Sequence, residues 1–274
     1  MNSGLNKKYQ KLLNQLDALG KEGLVICFSG GVDSSFLAAA AFEVCPEALL
    51  LTFVTPTIAR RDIAEAAAIG RELGMNHQML ELDTLSIPAV RNNDVSRCYH
   101  CKRALYQAAI ELAQRQGLKH IADGCHIDDE DPNIYRPGAQ AADELGIIHP
   151  LADAGFIKTE IRVKSKELGL RNFDRPANPC MISRFPYNTP LTKDELEKVE
   201  NGEMILRELG LSDFRLRTHG SLARLEVTAA EEDLVLEKRA VITEKLDRIG
   251  YEYICLDLSG EVSGSYDKKR KLHE

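Results

Sequence analysis

Five residues, Leu24-Val25-Ile26-Cys27-Phe28, run straight into Ser29-Gly30-Gly31-Val32-Asp33-Ser34-Ser35, and an alanine-rich stretch from Phe36 to Val44 follows. An apolar run closed by a Ser-Gly-Gly turn and continued by helix formers reads as a buried strand, a tight turn and a helix N-terminus. Gly30 and Gly31 let the backbone approach a ligand closely. The hydroxyls of Ser29, Ser34 and Ser35 stand beside the N–H groups of the first helical turn, and that combination is an anion site. It is not a Walker A loop, which needs a lysine before its final Ser/Thr. Asp33 instead puts a carboxylate next to the expected phosphates, an arrangement that calls for Mg2+ between them. The plain alternative is a strand-to-helix turn capped by Ser and Asp. The unbroken run of phosphate-suited residues favours nucleotide binding.

The chain has 274 residues, 44% hydrophobic and 28% charged, which suits two domains or one large domain with an appendage. No apolar run reaches the roughly 18 residues that a membrane span requires. Between Met1 and Gly20, Leu5, Tyr9, Leu12, Leu13, Leu16 and Leu19 recur at helical spacing with Lys and Gln between them. This is an amphipathic helix and not a signal peptide. Seven cysteines without a secretion signal point to a reducing, cytoplasmic setting, so they read as metal or redox sites before disulfides. The net charge of −7 argues against a broad nucleic-acid footprint, and Lys268-Lys269-Arg270-Lys271 reads as a solvated tail.

Further strands are expected over 48–55, 77–83 and 120–124, with helices over 59–74 and 99–117. That alternation means a parallel sheet with right-handed crossovers, whose ligand sits outside the carboxyl ends of the strands. Ser29, Thr55, Asp123 and Gly124 therefore belong on one rim. The polar stretch from Cys125 to Pro150 is a long functional or disordered loop, followed by a helix over 159–168. The proline-punctuated segment Arg175-Pro176-Ala177-Asn178-Pro179-Cys180 leads to a domain boundary near Pro186–Pro190. The expected division is 1–188 and 189–274. The second part is a small α+β domain with helices over 193–209 and 231–249 and strands over 214–219, 223–228 and 251–257.

Cys98-Tyr99-His100-Cys101 places two thiols three residues apart at a helix N-terminus, where they suit a zinc half-site, a redox pair or part of an iron–sulfur site. Cys180, between prolines and a turn, is the third candidate ligand. Two buried thiols and an unrelated cysteine are the plain alternative. Cys125, just after Asp123-Gly124, is a further thiol on the active rim.

Five segments now occur in order: the Ser-Gly-Gly-Val-Asp-Ser loop, Arg97–Lys102, Tyr135-Arg136-Pro137-Gly138, Asn178–Tyr187 and Leu216–Gly220. The loop resembles the signature of the PP-loop ATP pyrophosphatase superfamily. Together the segments resemble the LarE family of ATP-dependent sulfur transferases, from about Gly23 to Leu258. The resemblance implies an α/β PP-loop (adenine nucleotide alpha hydrolase-like) sheet domain with a small C-terminal α+β domain. It implies adenylation of a carboxylate of a nicotinate-derived pyridinium mononucleotide, followed by replacement of AMP with sulfur, on the way to the nickel-pincer cofactor of lactate racemase. A carboxylate is a poor electrophile until AMP becomes its leaving group, and the attacking atom must be a sulfur nucleophile.

One type in the family sacrifices the cysteine matching Cys180. The other holds a [4Fe-4S] cluster on cysteines matching Cys98, Cys101 and Cys180, and this chain has all three. Cys180, Asp33 and Ser34 are the catalytic candidates; Ser29, Gly30, Gly31, Asp33, Ser34, Ser35, Thr55, Asp123, Gly124 and Arg136 are those for ATP. Arg184, Arg215 and Arg217 are candidates for the substrate phosphate, because guanidinium offers it a bidentate fork. Glu203 and Glu226 are candidates for Mg2+ or substrate. ATP, Mg2+ and a [4Fe-4S] cluster, a sulfide donor and a homo-oligomer complete the expectation, with no nucleic acid and no membrane partner. The competing readings are a tRNA-thiolating PP-loop enzyme, an NAD-synthetase-like amidating ligase with structural zinc, and a nucleotide-binding regulatory module.

Overall fold

A computed structural model describes residues 2–129 and 137–260. In chain order the elements are α1 (Asn2–Gly20), β1 (Leu24–Cys27), α2 (Val32–Val44), β2 (Leu49–Val54), α3 (Arg60–Leu73) and β3 (His77–Glu81). Then come α4 (Pro88–Arg91), α5 (Arg97–Gln116), β4 (His120–Ala122), α6 (Pro137–Glu144), α7 (Pro150–Asp153) and α8 (Lys158–Glu167). The chain continues with α9 (Lys193–Glu208), β5 (Phe214–His219), β6 (Leu222–Val227), α10 (Glu232–Glu237), α11 (Arg239–Arg248) and β7 (Tyr253–Leu256). Residues 2–84 and 96–177 form one compact unit; Leu85–Val95 and the chain from Asn178 onward form another.

The first unit is built on a four-stranded sheet in the order β3-β2-β1-β4, with every pairing parallel. Strand residues alternate between two cores, as a pleat of period two requires. Leu24, Ile26, Phe28 and Leu50 pack on one face with Leu12 and Leu16 of α1 and Phe36 of α2. Val25, Leu49, Leu51 and Phe53 pack on the other with Tyr106, Ala109, Leu112 and Ala113 of α5. The spacing of these α5 residues is one face of a 3.6-residue helix. Gly74 and Gly117 stop α3 and α5 in the left-handed region, at φ 69° and 72°, where a side chain would be strained. Ser29, Thr55 and Asp123 all follow the carboxyl ends of their strands, on the edge where such sheets bind ligands.

The second unit carries a three-stranded sheet in the order β5-β6-β7. β5 and β6 are antiparallel from Phe214 opposite Val227 to His219 opposite Leu222, and β7 lies parallel to β6. Phe214, Leu216, Leu225, Leu246 and Tyr251 share its core. The helix expected over 231–249 is two helices. The break falls at Lys238, whose backbone leaves the helical region (φ −91°, ψ 9°) while its ammonium donates to the Leu209 carbonyl at 2.6 Å.

The units part at Ala177/Asn178, upstream of the 188/189 boundary read from the prolines. The stretch 186–191, around the expected boundary, finds partners in Leu85–Val95. Asn93 Nδ2 donates to the Pro186 carbonyl at 2.6 Å, and the amides of Asn188 and Leu191 donate to the carbonyls of Asn93 and Arg91 at 3.0 and 2.7 Å. Among the described residues, no helix is long and apolar enough to cross a membrane.

Candidate active site

The turn after β1 is organised by its own hydroxyls. Ser29 Oγ lies 3.1 Å from Ser34 Oγ and accepts from the Gly31 amide at 3.3 Å, while Ser34 Oγ donates to the Gly31 carbonyl at 3.2 Å. Gly30 stands at φ +67°, and a Cβ there would come within 2.7 Å of the Ala66 backbone on α3. Glycine is therefore required both for the conformation and for the approach of α3. Gly31 caps α2 without a side-chain hydrogen bond, so the cap itself leaves the amides of the first turn to a ligand. Ser35 faces inward: its buried Oγ is bound by Asn172 Nδ2 at 2.9 Å, and the same amide donates to the Gly30 carbonyl at 3.0 Å.

In front of this turn lies a cavity of about 340 Å³. Ser29, Asp33, Ser34, Asp123 and Gly124 all line it. The size suits a small-molecule ligand. Thr55 is buried, with its hydroxyl 2.9 Å from that of Thr57, and is not in the cavity wall. Arg136 lies outside the described residues. Asp33 is gripped by Lys158 at the start of α8, with Nζ 2.6 and 2.5 Å from the two carboxylate oxygens. This counter-charge is a second way to bring a carboxylate beside phosphates. Asp129 also lines the cavity, so two carboxylates, Asp33 and Asp129, could serve a Mg2+ ion there.

The far wall is built around Asp123. Its oxygens accept from Tyr106 Oη at 2.6 Å and the Cys125 amide at 3.0 Å, and His149 Nδ1 lies 2.7 Å away. Lys102 Nζ stands 3.7 Å from the same carboxylate. Burial alone would raise the pKa of Asp123, but the His149 hydrogen bond and the Lys102 charge outweigh it and hold the carboxyl well below its ordinary range. The hydrogen bond to Asp123, followed by one to Cys125, pushes His149 up to about 10. Desolvation raises the Cys125 thiol, and its Sγ donates to Asp123 at 3.4 Å. Asp123, Cys125 and His149 bring an O, an S and an N within 4.8 Å of one another. A cation there would have to displace the His149 proton and sit near Lys102, so the cluster works as an ion-paired wall.

Cys98 and Cys101 lie one turn apart at the start of α5, the first exposed and the second half-buried. Cys180, in the second unit, is exposed at the entry to a short 3-10 turn, Met181–Arg184. None of the three is in a disulfide. Four of the arginines and glutamates singled out from the sequence meet in that unit as ion pairs, Arg184 with Glu203 and Arg217 with Glu226. Arg184, wholly buried, makes a two-pronged contact with Glu203 at 2.7 and 3.1 Å. Arg217 bonds Glu226 at 2.9 and 2.8 Å, and Arg224 reaches the other Glu226 oxygen at 2.8 Å. Arg215, also buried, donates to the Phe214 carbonyl at 2.7 Å.

Sequence reasoning missed Lys158, His149, Tyr106 and Asn172. Each lies far along the chain from the group it serves, and no local pattern marks it.

The chain matches a family model described as a family of unknown function, DUF7411, over residues 23–171. A pyridinium-3,5-bisthiocarboxylic acid mononucleotide synthase from Lactiplantibacillus plantarum is 35% identical over 249 residues, covering 88% of this chain and 87% of that one. The chain belongs to the LarE family. An uncharacterized protein of Synechocystis, slr1717, is 34% identical over 247 residues, covering 89% of this chain and 91% of its own. Another from Methanocaldococcus jannaschii, MJ0830, is 28% identical over 265 residues, covering 95% and 98%. LarE membership spans both units, since these matches cover far more than the phosphate-loop unit alone.

Proposed function

We propose that this protein is an ATP-dependent sulfur transferase that adenylates a carboxylate of a pyridinium biscarboxylate mononucleotide and replaces AMP with sulfur. The observation that carries the reading is the Ser29–Ser35 turn opening on a 340 Å³ cavity, in a LarE-family chain. The amides at the head of α2 and the hydroxyls of Ser29 and Ser34 hold the departing pyrophosphate. Lys158 neutralises Asp33 so that polyphosphate can approach; Asp33 and Asp129 would hold a Mg2+ ion, which would supply further positive charge to the phosphates. Lys102 supplies a cation on the cavity wall. The substrate carboxylate attacks the α-phosphorus and pyrophosphate leaves with the bonding electrons. A sulfur nucleophile then attacks the acyl carbon, and AMP leaves.

Cys98, Cys101 and Cys180 would hold a [4Fe-4S] cluster that carries the sulfur as a bound sulfide. Cys98 and Cys101, one helical turn apart, suit part of a [4Fe-4S] site, and the exposed Cys180 is the third ligand that the family resemblance supplies. Bound on three cysteines, such a cluster would offer an open iron for an extra sulfide. The protein acts in the cytoplasm, where its thiols stay reduced, draws on a separate sulfide donor and works as a homo-oligomer.

The test is to supply MgATP, sulfide and the biscarboxylate mononucleotide anaerobically, and to follow pyrophosphate and thiolated product. Iron and acid-labile sulfide are measured in parallel on wild type and Cys180→Ser. About four irons per chain, lost in the variant, with repeated turnover, support the cluster route. Dehydroalanine at position 180 after one turnover replaces it with the sacrificial route. Absence of pyrophosphate release overturns the reading.

A further inference from the structure

Arg184 has no exposed surface, yet all of its nitrogens are engaged, and most of its partners lie in one short segment. Besides Glu203, it donates to the Pro179 carbonyl at 2.8 Å, Asn178 Oδ1 at 2.8 Å and Ser183 Oγ at 3.0 Å, with the Cys180 carbonyl at 3.5 Å. Ser183 closes the same turn, since its amide and its hydroxyl donate to the Cys180 carbonyl at 3.0 and 2.8 Å. Arg217 holds it from β5, donating to the Ser183 carbonyl at 2.5 Å while Glu226 neutralises its charge. With its backbone tied inward, the turn leaves Cys180 exposed.

Only arginine can do this. Its planar fork carries five donors, enough to satisfy a carboxylate and several carbonyls at once, whereas a lysine ammonium has three on a flexible stem. A buried arginine also needs its own carboxylate, because an unpaired buried charge is strongly unfavourable. Glu203 and Glu226 meet that need. A substrate phosphate would have to displace Glu203 or the turn itself before it could use the Arg184 guanidinium.

We infer that Arg184, with Glu203 as its counter-charge, is a positioning residue that fixes the turn presenting Cys180 and does not bind a substrate phosphate, while Arg217 braces the same turn from β5. The inference rests on the proposed role of Cys180 in sulfur transfer, but the clamp itself is a property of the folded chain.

Two measurements on the full chain separate these claims, using Arg184→Lys and the milder Asn178→Ala, which removes one neutral acceptor. ATP binding serves as the check that each variant is folded. Hydrogen exchange of the peptide spanning residues 178–185 reads the clamp directly. It is expected to speed up about tenfold in Arg184→Lys and severalfold in Asn178→Ala. Sulfur-transfer kinetics read the role: kcat falls at least tenfold in Arg184→Lys while the KM for the mononucleotide stays within about twofold. Unchanged exchange in both variants overturns the clamp. A KM raised tenfold or more with kcat retained overturns the positioning role in favour of phosphate binding. Should wild type transfer no sulfur at all, the exchange result still decides the clamp, and only the proposed function falls.

Discussion

Lys158 closes a two-pronged ion pair on Asp33 from 125 residues further along the chain, with its Nζ 2.6 and 2.5 Å from the two carboxylate oxygens. Both side chains are about one-third exposed or less, so the pair is less screened than a surface contact. Replacing Lys158 with Met keeps the stem and removes the charge. ATP affinity, read by titration calorimetry, is expected to fall about tenfold, which is about 1.4 kcal/mol. The double change Lys158→Met with Asp33→Asn should recover part of that loss, because the two side chains act as one unit. Strictly additive losses would show that the two side chains act on nucleotide binding independently and not as a pair.

Gly30→Ala puts a Cβ at φ +67° and within 2.7 Å of the Ala66 backbone. Left-handed strain and the push against α3 together should cost roughly 2–4 kcal/mol. Chemical denaturation measures it, and ATP-dependent pyrophosphate release is expected to be lost even where the variant stays folded. A change below about 0.5 kcal/mol would mean that α3 yields freely.

Asn172→Ala removes the amide that spans the Gly30 carbonyl and Ser35 Oγ, at 3.0 and 2.9 Å. Both acceptors are then left buried. A loss of about 1–3 kcal/mol is expected, with weaker ATP binding. Ser35→Ala should cost less, since it removes only one of these two contacts.

His149 makes stability depend on pH. Its pKa rises from an ordinary 6.5 to about 10 in the folded chain, through Asp123 first and then Cys125. A raised folded value means that the contribution is complete below about pH 6.5 and is lost as pH climbs toward 10. Urea titrations across this range should show the wild type weakening by a few kcal/mol, at about 1.4 kcal/mol per pKa unit. His149→Gln is expected to be the less stable protein at pH 6, to lack most of that slope and to converge on wild type near pH 10. A slope unchanged in the variant would assign it to other groups.

The phosphate turn was legible because its chemistry is contiguous: strand, Ser-Gly-Gly, acid and hydroxyls all lie within a dozen residues. The helices from Arg60 to Leu73 and Arg97 to Gln116, and the glycines that stop them, were legible for the same reason. The single helix expected over 231–249 failed at Lys238, where the side chain turns away to the Leu209 carbonyl and no Gly or Pro announces the break. Arg184, Arg215, Arg217, Glu203 and Glu226 stand out in the sequence as candidates, and the structure brings four of them together in pairs while Arg215 turns to the Phe214 carbonyl. Their pairing turns on which acid faces which base. In β5 and β6 the register sets Arg215 opposite Glu226 and Arg217 opposite Arg224, yet Glu226 pairs with its diagonal neighbour Arg217 and with Arg224 two residues away on its own strand.

The sequence by itself determined the parallel sheet, the anion-binding turn at its carboxyl edge and the residue types available there. These follow from periods of two and 3.6 residues and from turn chemistry, which act over a few residues of chain. Only the tertiary structure decided the counter-charges: Lys158 for Asp33, His149 and Lys102 for Asp123, and Glu203 for Arg184. A buried charge is stabilised by whatever lies within a few ångströms in space, and the packing of the helices sets that neighbour without leaving a local pattern in the chain.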